Sequence, residues 1–248
     1  METIEEFSKQ FVNNIITNTV NKLTTKFISL GRHCDIREQI NKFTKEPTLF
    51  FDWLRSDFKA VLKVLSYTNI LDELLFHDNI ITYSYNKCDM GVEFKNMILG
   101  DEKLFLLSRH DINTNTVVDK DVIQNFIDKY ERRWHRIMDI INKSNQPLIF
   151  MHRITDDKIG VGDEDKFIEL ISTINPNCKF SLVFLIHNEK SSEMIIEKRN
   201  KFLCINIELF LKPNYAMNGY WDLNRYNWNQ IFETILHNAR YDNWQKLL

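Results

Sequence analysis

A single-domain layered α/β fold, with a mostly parallel central sheet flanked by helices and a small hairpin, is predicted for this 248-residue chain. Three observations predict it. Apolar strand-length runs alternate with helical patterns along the chain. Those runs are continuous rather than period-two, as strands covered on both faces require. No repeat, low-complexity stretch or Gly- and Pro-rich hinge divides the sequence. With 44% hydrophobic residues, one domain over 1–248 can bury a real core.

The elements follow in order. Residues 3 to 24 carry Ile4, Phe7, Phe11 and Ile15 on one side and predict an N-terminal helix before the strand Phe27 to Leu30. Ile36 to Phe43 suits a short helix. Pro47 breaks the pattern, and Thr48 to Leu54 is extended or turn-like ahead of a helix capped by Ser56 or Asp57, with Phe58, Val61, Leu62 and Leu65 at helical spacing. Ile80 to Tyr85 and Val92 to Met97 alternate apolar and polar residues around Asn86, Asp89 and Gly91, as in a hairpin. Leu104 to Leu107 is expected as a strand that ends at Ser108, Arg109, His110 and Asp111. The longest helical pattern runs from Asp121 to Lys143, and Pro147 marks its end. Leu148 to Met151 and Phe180 to Ile186 are compact strands separated by a helix at Glu164 to Ile174. Leu203 to Leu211 is a further strand and Trp228 to Ala239 a closing helix. The organisation expected is an N-terminal helix over 1–24, a core over 25–190 and a C-terminal extension over 191–248.

Composition excludes several function classes. Lys and Arg total 32 against 34 Asp and Glu, interspersed to a formal charge of −2, so no basic stripe points to nucleic acid. The first 21 residues contain Glu2, Glu5, Glu6 and Lys9 and lack the form of a secretory signal. No later run has the length of a membrane span, which leads to the expectation of a cytoplasmic protein. Cys34, Cys88, Cys178 and Cys204 are scattered without CxxC spacing, so free thiols and no metal are expected. Alanine occurs only at 60, 216 and 239 while Lys, Asn and Ile recur, the bias of an A/T-rich genome such as that of a large DNA virus or a low-GC bacterium; a viral source would place the protein in the host cytoplasm.

Ligands in parallel α/β sheets gather beyond the carboxyl ends of the strands. Four apolar runs end in reactive or charged residues: Arg32, His33 and Cys34 after the first, Arg109, His110 and Asp111 after the second, His152 and Arg153 after the third, and His187 with Asn188 after the fourth. If Asp35 onward is helical, unpaired N–H groups at the helix start stabilise a Cys34 thiolate. Each residue also has a bland role. A cysteine near a strand end is commonly a small buried hydrophobe, and strand-end histidines commonly bond loop backbone. Arg132, Arg133 and Arg136 read as a solvated helix face, and Tyr220, Trp221, Tyr226 and Trp228 as packing. Gly160-Val161-Gly162 lacks the context of a dinucleotide loop.

Ser29-Leu30-Gly31-Arg32-His33-Cys34 and Phe50-Phe51-Asp52-Trp53-Leu54 together resemble the SLG-x-x-C and PFDW signature of a papain-like cysteine peptidase family of unknown function, with members in bacteria and large DNA viruses. The likeness continues through His110-Asp111, Tyr130-Glu131-Arg132-Arg133 and Phe150-Met151-His152-Arg153, covering much of 27 to 190. Phe50 departs from it by standing where the family usually has proline.

The resemblance implies Cys34 as nucleophile, His110 as its base, and Asp52 or Asp111 as the group orienting the imidazole, with His187 as the rival base. Backbone N–H groups of Cys34 and Asp35 would hold the oxyanion. Gly31, Arg32, His33 and Trp53, with the cations Arg109, Arg132 and Arg153, form the candidate substrate-binding set. Peptide, ester or glycan substrates are expected, without cofactor, metal, nucleic acid or membrane span, and with the oligomeric state open. One tension stands beside this. Papain-like enzymes set cysteine on a helix and histidine on an antiparallel sheet, whereas a thiol following the first strand of a layered sheet is closer to serine esterases and glycan acyltransferases. A non-catalytic interaction module with an aromatic C-terminal surface is the third alternative.

Overall fold

A computed structural model describes residues 25–32, 34–84, 89–113, 117–154, 159–187, 193–200, 204–209 and 226–243. The central sheet contains β1 (Lys26–Ser29), β8 (Leu148–Ile154), β9 (Phe180–His187), β11 (Cys204–Leu209) and β10 (Ile195–Arg199), in that spatial order. Pairings β1 with β8, β8 with β9 and β9 with β11 are parallel, and only β10 runs antiparallel, at the edge. This is the mostly parallel sheet expected. The exposed β10, with Ile195 and Ile196 turned to solvent, carried too weak a pattern to be anticipated.

Because side chains alternate across a strand, each face of this sheet buries its own apolar set. On one face Phe27, Ile149, Met151, Val183 and Leu185 pack against α1 (Cys34–Thr44), through Ile36 and Ile40, and against α6 (Trp228–Asn243), through Trp228, Ile231 and Phe232. On the other, Ile28, Phe150, Leu182 and Phe184 meet α2 (Phe58–Leu65), α4 (Lys120–Lys143) and α5 (Asp163–Ile174). Tyr226 and Trp228 stack edge-on within the first set, as packing residues.

The second cluster also takes in a further sheet, larger than the hairpin foreseen. Strands β2 (Leu54–Ser56), β7 (Leu106–Asn113), β4 (Asp89–Phe94) and β3 (Ile80–Ser84) form it in that order, all antiparallel. A separate small hairpin joins β5 (Ile98–Leu99) and β6 (Glu102–Lys103). A short α3 (Ile70–Glu73) precedes β3. Two strand ends need correction. The run at Leu104 does not stop at Ser108 but starts at Leu106 and continues through Arg109, His110 and Asp111 on the antiparallel sheet, because cross-strand pairing with β4 extends to Asn113. Likewise His152 and Arg153 lie inside β8, held by pairing to β9, and not in a loop after it. The N-terminal helix expected over 3 to 24, the hairpin turn at Asn86, and Tyr220 and Trp221 fall outside the described residues.

Helix α4 shows how local sequence sets a boundary. Asp119, extended at φ −107°, accepts the Val122 N–H at 2.9 Å and satisfies a donor that the first turn leaves open. Asp119→Ala is expected to lower stability by about 1 kcal/mol; a urea midpoint unchanged from the parent would show that the cap is idle.

Candidate active site

Strand β1 ends in a turn that few sequences can make. Gly31 and Arg32 both take positive φ, 84° and 73°, a left-handed pair that L side chains resist. Gly31 is required twice over. A Cβ there would lie 2.7 Å from the Leu54 carbonyl oxygen, 3.0 Å from that of Phe51 and 2.3 Å from Ser56 Oγ. The two segments that carry the sequence signature therefore touch, and the glycine is what lets them. Ser56 Oγ completes the seam by donating to the Leu30 carbonyl at 2.7 Å. Arg32 is held in its strained conformation by an ion pair to Asp57 at 2.5 Å, and Asp57 also accepts the Phe105 N–H at 3.0 Å. Asp57 thus occupies the expected cap position of α2, but its carboxylate serves these partners instead of the helix.

Cys34 is the first residue of α1, half-buried beside this turn. The next residues anchor the helix through charge. Asp35 pairs with Arg153 of β8, whose Nη2 donates to the Tyr226 hydroxyl at 3.2 Å and whose guanidinium lies 5.4 Å from the Tyr226 ring. Two positions on, Arg37 Nε stands 3.1 Å from Asp52 Oδ2, and its Nη2 donates to the Glu46 carbonyl. Asp52 Oδ2 accepts the Leu49 N–H at 2.5 Å. All four charged side chains are buried, so α1 is tied by two ion pairs of opposite polarity to β8 and to the 50–53 turn.

Phe50, in place of the usual proline, secures that turn by packing. It is fully buried, with rings of Phe51, Tyr130 and Trp134 at 5.0, 5.6 and 5.5 Å in edge-on contact.

The electrostatics depart from one expectation. Partial burial, then the carboxylates of Asp35 and Glu38, push the Cys34 thiol above its ordinary range, outweighing its backbone N–H and Arg153. The helix start alone does not deliver a resident thiolate. Burial also lifts the Cys178 thiol to about 11 and that of Cys204 to about 12. Cys34, Cys178 and Cys204 are free thiols. Among the described residues no group of His, Cys, Asp and Glu could hold a metal ion, and no helix is long and apolar enough to cross a membrane.

The remaining candidates are spread more widely. Asp111 accepts from Tyr130 Oη and Lys129 Nζ, each at 2.5 Å, and from Ser108 Oγ. Burial raises its pKa, but Lys129 and the two hydroxyls prevail and hold the carboxyl below its usual range. Arg132 is exposed on α4 and lines a cleft of about 360 Å³ with Asp111, Asn125 and Lys129. Arg133 corrects the picture of a solvated face: it turns inward, 4.8 Å over the Tyr130 ring, where its charge reaches Arg37 and Asp52. Arg136 bonds the Thr48 carbonyl at 2.9 Å. Trp53 is half-buried in the turn. Arg109 and His110 belong to β7 and His187 ends β9, with only their backbones described; His33 lies outside the described residues. His152 is buried in β8 against Phe58 and Phe184, with ring centroids at 5.4 and 6.3 Å.

Asp35, Arg37 and Tyr226 were not anticipated as site residues. An acidic residue in the first turn of α1 is a visible signal, but its partner is 118 positions away. Among known proteins, a family model described as putative papain-like cysteine peptidase matches residues 25–190. No curated protein and no solved structure matches the chain.

Proposed function

The chain belongs to the family described as putative papain-like cysteine peptidase, and on that premise we propose that it is a cysteine-dependent hydrolase of peptide bonds. In the reaction Cys34 Sγ attacks the substrate carbonyl while His110 takes the thiol proton. The proton then passes to the departing amine, and water hydrolyses the resulting thioester to regenerate the thiol. The observation that carries this reading is the seat of Cys34, half-exposed at the start of an 11-residue helix and directly behind a left-handed turn built around Gly31. Asp35 Oδ1 takes the Ile36 N–H, so the first-turn donor suited to a developing oxyanion is the Cys34 N–H, which also favours the thiolate. Support for His110 comes from register: it stands two residues beyond the Leu54–Ser108 pair, toward the turn that Gly31 touches, and on an antiparallel sheet. Because the thiol is pushed up, its proton must be removed during the attack, which gives the base a role from the first step.

Exposure to an activated ester such as p-nitrophenyl acetate, followed by mass spectrometry, tests this. One acyl group on Cys34 is expected, lost in Cys34→Ser, with acylation of His110→Ala slowed by about 10²-fold. Equal acylation of Cys34 and Cys178, or an unaltered rate in His110→Ala, overturns it. The parallel sheet, with its thiol after β1, favours a second reading in which the substrate is an acylated glycan. Turnover of acetylated sugars without peptide cleavage would select that alternative.

A further inference from the structure

Arg153 was expected to meet substrate, yet it is 1% exposed and faces inward to Asp35, the residue after Cys34. We infer that Asp35 and Arg153 are positioning residues for Cys34: their buried ion pair seats the first turn of α1 against β8 and sets the net charge that the sulfur faces.

The geometry gives the reason. Asp35 Oδ2 takes Arg153 Nη1, and Oδ1 of the same carboxylate accepts the Ile36 N–H at 2.8 Å, so one side chain joins the helix start to the neighbouring strand. Arg153 is held from a second direction by the Tyr226 hydroxyl just ahead of α6. Its third nitrogen, Nε, is buried with no hydrogen-bond partner among the described residues, while Nη1 and Nη2 are taken by Asp35 and Tyr226. A cation that buried is not available to a ligand, but it acts on a neighbour through the low-dielectric interior. Among the described residues, the charged groups that act on the sulfur are Asp35 and Glu38 on α1 and Arg153 from β8. Arg32 is turned to Asp57, while Arg37 is turned to Asp52. Asp35 and Arg153 therefore offset each other at the thiol, and losing one exposes the other. Loss of Asp35 leaves a cation that favours thiolate, and loss of Arg153 leaves an anion that opposes it.

This deepens the reading of Cys34 as nucleophile and rests on it for its meaning, but its test needs no turnover. Alkylation of Cys34 by iodoacetamide, followed by mass spectrometry from pH 6 to 10 with Cys178 as internal reference, reads the thiolate directly. At pH 7, Asp35→Asn is expected to label about tenfold faster than wild type, the effect of a one-unit shift. Arg153→Gln is expected to label several-fold slower, with its profile displaced to higher pH. Opposite signs separate an electrostatic role from loosening of the helix, which would speed both. The double variant Asp35→Asn/Arg153→Gln keeps two hydrogen-bonding partners without charge, and should return to within about twofold of the wild-type profile. Shifts of one sign in both single variants, or no shift in either, overturn the inference. If a single variant fails to fold, a tenfold displacement in the double variant overturns it and a wild-type profile supports it. Absence of ester acylation in the wild type would count against the hydrolase reading alone and leave these alkylation profiles to be judged separately.

Discussion

Gly31→Ala is expected to destabilise the folded chain by about 3–5 kcal/mol, through the conjunction of backbone strain and overlap. The left-handed conformation at φ 84° disfavours alanine over glycine by roughly 1–2 kcal/mol. The added methyl group then falls within 3.0 Å of two carbonyl oxygens, at Phe51 and Leu54, which belong to backbone and cannot rotate away. Ser56 Oγ, at 2.3 Å, is a separate and removable contact. Urea unfolding of Gly31→Ala and of Gly31→Ala/Ser56→Ala distinguishes the contributions, the second variant recovering only the hydroxyl overlap. A loss below about 1 kcal/mol in the first would mean that the turn relaxes freely and does not hold the two signature segments together.

The second large effect is a pH dependence centred on Asp52. Burial outweighs Arg37, the Leu49 N–H and Arg133 and lifts this carboxyl to about 7. A folded carboxyl above its unfolded value of roughly 4 retains a proton that the unfolded chain releases. Its contribution to stability is fully present below that unfolded value and is lost as pH rises through about 7. Relative to Asp52→Asn, which does not titrate, wild type is expected to lose up to about 4 kcal/mol between pH 4 and pH 8. The variant comparison removes the opposite trend of Asp111, whose lowered pKa contributes stability that is lost in acid. Urea unfolding at several pH values checks the difference, and parallel stability curves for the two proteins would show that Asp52 ionises normally in the fold. As Asp52 meets Arg37 on α1, the same titration changes the charge on one of the two ties holding the helix that begins at Cys34.

Much of the architecture was legible because periodicity is a local property. Continuous runs such as Phe180 to Ile186 read as strands covered on both faces, and Phe126, Tyr130, Trp134 and Ile137 at helical spacing read as the packed face of α4. Strand ends were less legible. Arg109, His110 and Asp111 are polar enough to suggest a loop, and only their pairing partners on β4 keep them in a strand. For the same reason the second sheet read as an isolated hairpin: β2 is three residues long and has no pattern of its own until β7 lies beside it. Within the site, Gly31 and Cys34 were visible from their order in the chain. The roles of Asp52 and Arg153 were not, since each depends on a counter-ion brought by another element.

The amino-acid order alone determined the alternation of strand and helix and the location of the thiol behind a glycine, because spacing, hydrophobicity and backbone freedom act over a few residues. Tertiary structure alone decided which charges neutralise one another and how the thiol responds. Burial and Coulomb interaction depend on distance in space, and the ion pair behind Cys34 closes a separation of 118 residues along the chain.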